Sequence, residues 1–208
     1  MNHAFIEQRQ KYRATITQRF GITPEMYDTV TQLVAPLMVA VNLRKGEYLQ
    51  RSGVPAQYLY WMHSGVVRNG FITENGTEVT LRFTTDGDSA GSHDDLLAAR
   101  GGIPARHFIV AETAVAGFRI DWSDMTRLVE ENEVMRYYYL KASEYSILRD
   151  GRRLCSQSNA SARERLNAFR LEYPGLESRI SQKVIASFLG ITPQYMSQLL
   201  RQDGEAKA

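Results

Sequence analysis

The chain has 208 residues and one cysteine, Cys155. A single thiol cannot close an internal disulfide, build a four-cysteine zinc site or hold an iron–sulfur cluster. No apolar run approaches the roughly 18 residues that cross a bilayer, so no membrane partner is expected. The opening residues, Met1-Asn2-His3-Ala4-Phe5, supply neither a basic n-region nor an apolar h-region. A secretory leader is therefore not expected, and a cytoplasmic, metal-free protein is the simplest reading. Low-complexity segments and long linkers are also missing.

Histidine is scarce, and His63, His93 and His107 stand apart from one another. A cupin-like metal enzyme would need two histidines as His-x-His with a glutamate a few residues on. His93-Asp94-Asp95 is the one local group with metal-ligating side chains, and a solvated loop is its simpler reading. No paired-carboxylate, Ser-His-Asp or phosphate-loop pattern rises above chance. The expectation is thus no catalytic residues, no metal and no cofactor, with a metal enzyme as the minor alternative.

Hydrophobic residues make up 43% of the chain, enough for one large or two small packed domains. Net charge is only +2, but it is unevenly placed. Residues 1–151 hold 16 Lys and Arg against 18 Asp and Glu, whereas residues 152–208 hold 9 against 5. A basic C-terminal quarter favours a phosphate partner, although four net charges alone are a weak bias.

The periodicity changes twice along the chain. Residues 5–40 read as helical, with Thr23-Pro24 starting a helix and Pro36 interrupting it. From about 42 to 120, short apolar or alternating runs alternate with glycines. Tyr58 to Met62, Glu78 to Phe83 and Phe108 to Ala111 read as strands, and Asn75-Gly76 as a hairpin turn. This pattern predicts an antiparallel roll or barrel. From Asp121, Met125, Leu128, Asn132, Met135, Tyr139 and Ala142 repeat at steps of three and four. Either this seam pairs with a second copy, with Asn132 fixing its register, or it packs on the chain's own roll. Residues 159–173 form a further helix that Pro174-Gly175 ends.

The most informative window is Gln182 to Arg201. Ile185, Leu189, Ile191, Met196 and Leu199 are spaced to bury the inner faces of two steeply crossed helices. Ala186 stands where such helices come closest, and Gly190 where the turn between them favours positive φ. Thr192-Pro193 supplies the cap and first residue of the second helix. These features together specify a helix-turn-helix. An ordinary helical hairpin is the alternative. If the unit reads double-stranded DNA, the second helix presents Pro193, Gln194, Tyr195, Ser197, Gln198 and Arg201. Gln194 and Gln198 are i,i+4 neighbours, and a glutamine amide can bond an adenine edge twice. Lys183, Thr192 and Arg201 suit phosphates, which position a protein without reading sequence.

This order resembles the Crp/Fnr family of transcription regulators over roughly residues 20–202. The resemblance is carried by Arg44 to Gly53, by Leu59 to Arg68, by Gly87-Asp88-Ser89-Ala90-Gly91, and by Ile185 to Pro193. It implies an α+β fold in three parts. Residues 1–120 would be N-terminal helices with a double-stranded, jelly-roll-like β-roll. Residues 121–153 would be a dimerisation helix, and residues 154–208 a winged-type helix-turn-helix domain. It also implies a homodimer joined along about 123–150, a palindromic DNA site, a small-molecule effector in the roll, and RNA polymerase as a further partner.

The effector cassette departs from the family pattern. Where cyclic-nucleotide binders carry Gly-Glu, this chain has Gly91-Ser92. Where they carry Arg-Ser, it has Ala105-Arg106. One step along a strand turns a side chain to the opposite face, so Arg106 would need a bulge to reach the same pocket. Ordinary cyclic AMP binding is therefore not expected. Related reading helices often show Ser-Arg where this chain has Ser197-Gln198, which weakens guanine recognition. Counting leaves haem ligation open, since His63, His93, His107 and several methionines remain. A sensing module that does not bind DNA is the second alternative.

Overall fold

The structure, a computed structural model, describes residues 2–205. It begins with α1 (His3–Gln10), α2 (Arg13–Phe20) and α3 (Pro24–Val34). Thr23 caps α3 by accepting from the Met26 amide at 3.2 Å, with Pro24 as first helical residue. Pro36 lies in a 3₁₀ turn, Ala35–Leu37, where it ends the helical run.

Eight strands follow: β1 (Val39–Leu43), β2 (Tyr48–Gln50), β3 (Tyr58–Ser64), β4 (Val67–Ile72), β5 (Glu78–Thr84), β6 (Ser89–Ala90), β7 (His107–Ala111) and β8 (Val115–Asp121). They form two antiparallel sheets, β1-β8-β3-β6 and β2-β7-β4-β5. The Asn75-Gly76 turn joins β4 to β5, with Gly76 at φ +76 and its amide 2.9 Å from the Thr73 carbonyl. Period-two alternation decides what each strand face covers. Tyr60 and Met62 point into the roll with Val67, Ile109 and Val115. Trp61, between them, points outward into a second core with Phe5, Val34 and Phe118.

A short helix, α4 (His93–Ala99), separates β6 from β7, and α5 (Trp122–Glu131) and α6 (Glu133–Asn159) follow the roll. The expected single helix is broken at Asn132, whose backbone is extended at φ −131, ψ 120. Asn132 accepts from the Val134 and Met135 amides at 3.1 and 3.3 Å, so it caps α6. The N-terminal part of the expected seam therefore does not form one continuous stripe. Met125 and Met135 are buried in the outer core of the roll, with Leu128 and Tyr139 packed against them.

The chain then turns through α7 (Ala162–Glu172), α8 (Gln182–Leu189) and α9 (Pro193–Glu205). Ser161 and Glu164 form a capping box at the start of α7. Among the described residues no strand follows β8, so the wing implied by the family pattern is not found there. Instead α8 docks on β5 of the roll. The Ser187 hydroxyl accepts from the Thr80 amide at 3.0 Å and donates to the Glu78 carbonyl at 3.1 Å. Phe83 of β5 joins Phe169, Tyr173 and Phe188 in one aromatic cluster, with ring centroids 5.2–6.0 Å apart around Phe83.

Candidate nucleic-acid interface and roll cavity

The two-helix unit at the C-terminus is built as its spacing predicts. Ile185, Ala186, Leu189, Met196 and Leu199 are all buried in one cluster, with Ile191 partly buried against it. Ala186 is fully buried at the crossing, where a larger side chain would force the helices apart. Gly190 adopts φ +67 and ends α8, a conformation that costs an L side chain about 1 kcal/mol or more. The Thr192 hydroxyl accepts from the Tyr195 amide at 3.2 Å and caps α9.

Burial of one face of α9 leaves the other free. Pro193, Gln194, Tyr195, Ser197, Gln198 and Arg201 are all exposed, as are Thr192 and Lys183. Ser197 back-bonds to the Pro193 carbonyl at 3.1 Å, so its hydroxyl proton is committed within the helix. Arg163 and Arg170 of α7 pair with Asp203, fastening the far end of α9. The end of α9 nearest Thr192 is thus capped, and its distal end is tied to α7.

The roll carries a second candidate site. A cavity of about 490 Å³ lies between the roll and α6, lined by Gly91 and Ser92 together with Arg82, His93, His107 and Arg153. Gly91 and Ser92 are thus part of this lining. Ala105 and Arg106 do not line it. Ala105 is buried in the outer core, and its amide and carbonyl bond to Val54 and Gly53. Arg106 is exposed, and its amide donates to Asp95 at 2.8 Å. The cations in the cavity are instead Arg82 and Arg153; Arg82 donates to the Gly91 carbonyl at 2.7 Å and forms no ion pair among the described residues. Burial, and then Arg149 nearby, lower its pKa. His93 is likewise lowered, first by burial and then by Arg82, so its neutral form is favoured.

Asp94, Asp95 and His107 each bring one ligand-type atom within 4.8 Å of the others. The buried Asp95 carboxylate is already engaged there. It accepts from the Arg106 and His107 amides and from Gln50 Nε2, at 2.8, 3.1 and 2.7 Å. Its role is to cap the start of β7.

Sequence reasoning missed Arg153. It lies on α6, but its Nη2 donates to the Thr80 carbonyl of β5 at 3.0 Å and the Phe188 carbonyl of α8 at 3.2 Å. Its guanidinium also lies 3.9 Å from the Phe188 ring centroid. One side chain thus joins the roll, the long helix and α8, and also lines the roll cavity. An arginine midway along a polar helix face gives no local sign of this.

An antiparallel roll with a cavity, a long helix lying over it and a capped helix-turn-helix docked on its edge together define the fold. Residues 40–132 match the family described as Cyclic nucleotide-binding domain. Over about four fifths of its length the chain has the fold of Crp/Fnr regulators. It is similar to FixK2 from Bradyrhizobium japonicum, with 20% identity and TM-score 0.69, covering 82% of this chain and 86% of that one. It is similar to a Crp/Fnr-family transcriptional regulator from Thermus thermophilus, with 20% identity and TM-score 0.61, covering 81% and 87%. It is also similar to CLP, a c-di-GMP responsive global regulator from Xanthomonas campestris, with 12% identity and TM-score 0.64, covering 86% and 92%. No curated protein matches the sequence. No helix among the described residues is long and apolar enough to cross a membrane.

Proposed function

We propose that this chain is a dimeric, DNA-binding transcription regulator of the Crp/Fnr type, gated by a small-molecule effector in the roll cavity. The observation that carries the reading is the solvent face of α9. A capped, rigidly seated helix exposes two glutamines one turn apart, a tyrosine and an arginine. In this reading Gln194 and Gln198 meet base edges in the major groove, with Tyr195 and Ser197 beside them. Lys183, Thr192 and Arg201 meet phosphates, and Pro193 sets the start of the helix. RNA polymerase is the further partner of such a regulator.

Dimerisation is assigned to a different stripe from the one the periodicity suggests. Leu140, Ile147 and Leu154 are more than half exposed and recur every seven residues along α6. That is the spacing of a coiled-coil seam. Residues 1–120 then act as sensor, 121–153 with the rest of α6 as dimer helix, and 154–208 as reader. The effector site comprises Gly91 and Ser92 with Arg82, His93, His107 and Arg153. It lacks the ribose-binding glutamate, so an effector other than cyclic AMP is expected.

Selection of bound fragments from a random DNA pool tests the reading. The expected result is an enriched palindrome with half-sites about one helical turn apart, whose binding weakens steeply with salt. Recovery of no enriched motif at moderate salt would reject it.

A further inference from the structure

A second cavity lies outside the roll. It lies between α6, α7 and α8, has a volume of about 760 Å³, and is lined by Arg19, Arg149, Arg152, Arg153 and Arg165 with Glu172 as the lone acid. The five arginines come from α2, α6 and α7, and all but the exposed Arg152 are partly buried. Like charges gathered at partly buried positions repel one another and are costly unless an anion meets them.

Their hydrogen bonding is incomplete. Arg19 Nη1, Arg149 Nε, Arg153 Nη1 and Arg165 Nε are each buried without a hydrogen-bond partner. Buried donors in folded proteins are nearly always paired; Arg19 Nη1 and Arg149 Nε have Asp88 and Asp150 nearby, which leaves Arg153 Nη1 and Arg165 Nε as the two donors of this lining with neither a hydrogen bond nor a carboxylate beside them. The nearby carboxylates serve only part of the lining. Arg19 lies 3.3 Å from Asp88, and Arg149 lies 4.0 Å from Asp88 and 3.6 Å from Asp150. Arg153 and Arg165 bond only to carbonyls, those of Thr80, Phe188 and Ala160. The remaining wall is apolar, with Phe169 and Phe188 forming part of it.

We propose that this cavity binds a phosphate-bearing small molecule with an apolar or aromatic body, at a site next to the roll cavity, with which it shares Arg153. Guanidinium forks match phosphate oxygens in pairs, and several forks from different helices exceed what one carboxylate can accept. The aromatic wall takes the body of the ligand. Burial lowers Arg153 to about 10, and a bound anion would reverse that shift. Because Arg153 also bonds β5 and α8, occupancy acts directly on the joint between roll and reader. Any ligand held there is coupled to the position of the reader, and DNA in turn to ligand affinity.

Calorimetric titration of the full chain at fixed ionic strength tests the proposal, with adenosine 5′-monophosphate, adenosine and inorganic phosphate as probes. Saturable binding of the monophosphate, at one site per chain and at least tenfold tighter than either fragment, is expected. Arg165→Gln and Arg152→Gln should each weaken it at least fivefold, while Arg127→Gln, at an exposed arginine that lines neither cavity, leaves it unchanged. Arg152 is exposed, so its variant serves if Arg165→Gln does not fold. Three outcomes would overturn the proposal. One is no saturable binding by any probe. Another is loss of binding in Arg82→Gln alone, which would move the ligand to the roll. The third is a change of oligomeric state in the arginine variants without any phosphate binding, which would assign the cavity to acidic side chains of a second copy. Equal affinity for inorganic phosphate and the monophosphate would remove the apolar body from the proposal. None of these results depends on DNA binding, so this proposal and the regulator reading can fail separately.

Discussion

His63 and His93 give the clearest consequence at the scale of single residues. Burial lowers the pKa of both from the ordinary 6.5, with Lys11 adding to the effect at His63 and Arg82 at His93. Asp86 opposes the shift at His63, and Asp94 and Asp150 oppose it at His93. In the unfolded chain both rings gain a proton as pH falls through 6.5, while the folded chain resists. The unfolded state then binds more protons, so stability falls as pH drops below 6.5 and is unaffected by these groups above it. The thermal midpoint should be flat from pH 8 to 7 and decline from 6.5 to 5.5. In the double variant His63→Gln, His93→Gln the decline should be shallower. A wild-type midpoint that rose on acidification would contradict the shifts. Residues whose role is local were legible in the sequence: Thr23, Gly76, Gly190 and Thr192 each act on the backbone within a few positions. Arg82 and Arg153 were not. Their surroundings come from strands and helices distant in sequence, and alone each reads as a solvated charge. The cassette alignment placed Ala105 and Arg106 in the pocket, but the loop before β7 bonds Ala105 to the β2–β3 connection and leaves Arg106 outside.

At the scale of elements, the helix after the roll shows how periodicity can locate an apolar surface without saying what covers it. Steps of three and four run through Met125, Leu128, Met135 and Tyr139 because those residues cover the chain's own roll. Asn132 belongs to that repeat by spacing, yet its side chain ends one helix and starts the next. The stripe of Leu140, Ile147 and Leu154 was harder to see, because Glu144 and Gly151 fall between its members. Two substitutions separate the stripes. Met135→Ala should lower folding stability by about 2–5 kcal/mol by opening a cavity, with little effect on self-association. Ile147→Glu should leave the fold intact and weaken the dimer at least tenfold, as measured by sedimentation. Monomer formation by Met135→Ala with Ile147→Glu still dimeric would restore the first stripe as the interface.

At the scale of the whole molecule, the roll and the helix-turn-helix unit share one core. Val66 and Phe83 of the roll lie in the same cluster as Phe169, Phe188, Met196 and Leu199. Phe83→Ala should cost about 3–5 kcal/mol. Hydrogen exchange should quicken in α8 and α9 more than in the β3–β8 ladder, because the outer core there is untouched. Equal acceleration throughout would show that docking is not local to Phe83. This sharing is why the order of elements was legible but their contacts were not. Glycine spacing and turn chemistry specify a roll, and the spacing of Ile185, Ala186, Leu189, Met196 and Leu199 specifies a pair of crossed helices. The docking of α8 on β5 depends on Ser187 and Phe83, whose local sequence carries no sign of a partner a hundred residues away.

The central claim is that the exposed face of α9 reads base edges while the flanking polar residues hold phosphates. Its most direct test is to measure binding of Gln194→Ala and Lys183→Ala across a set of single-base variants of the selected site. Gln194→Ala should relax discrimination at one base pair in each half-site, by about 1–3 kcal/mol. Lys183→Ala should weaken all sequences alike and reduce the dependence of log affinity on log salt by about one per subunit. Identical behaviour of the two variants, or unchanged discrimination in Gln194→Ala, would contradict the assignment.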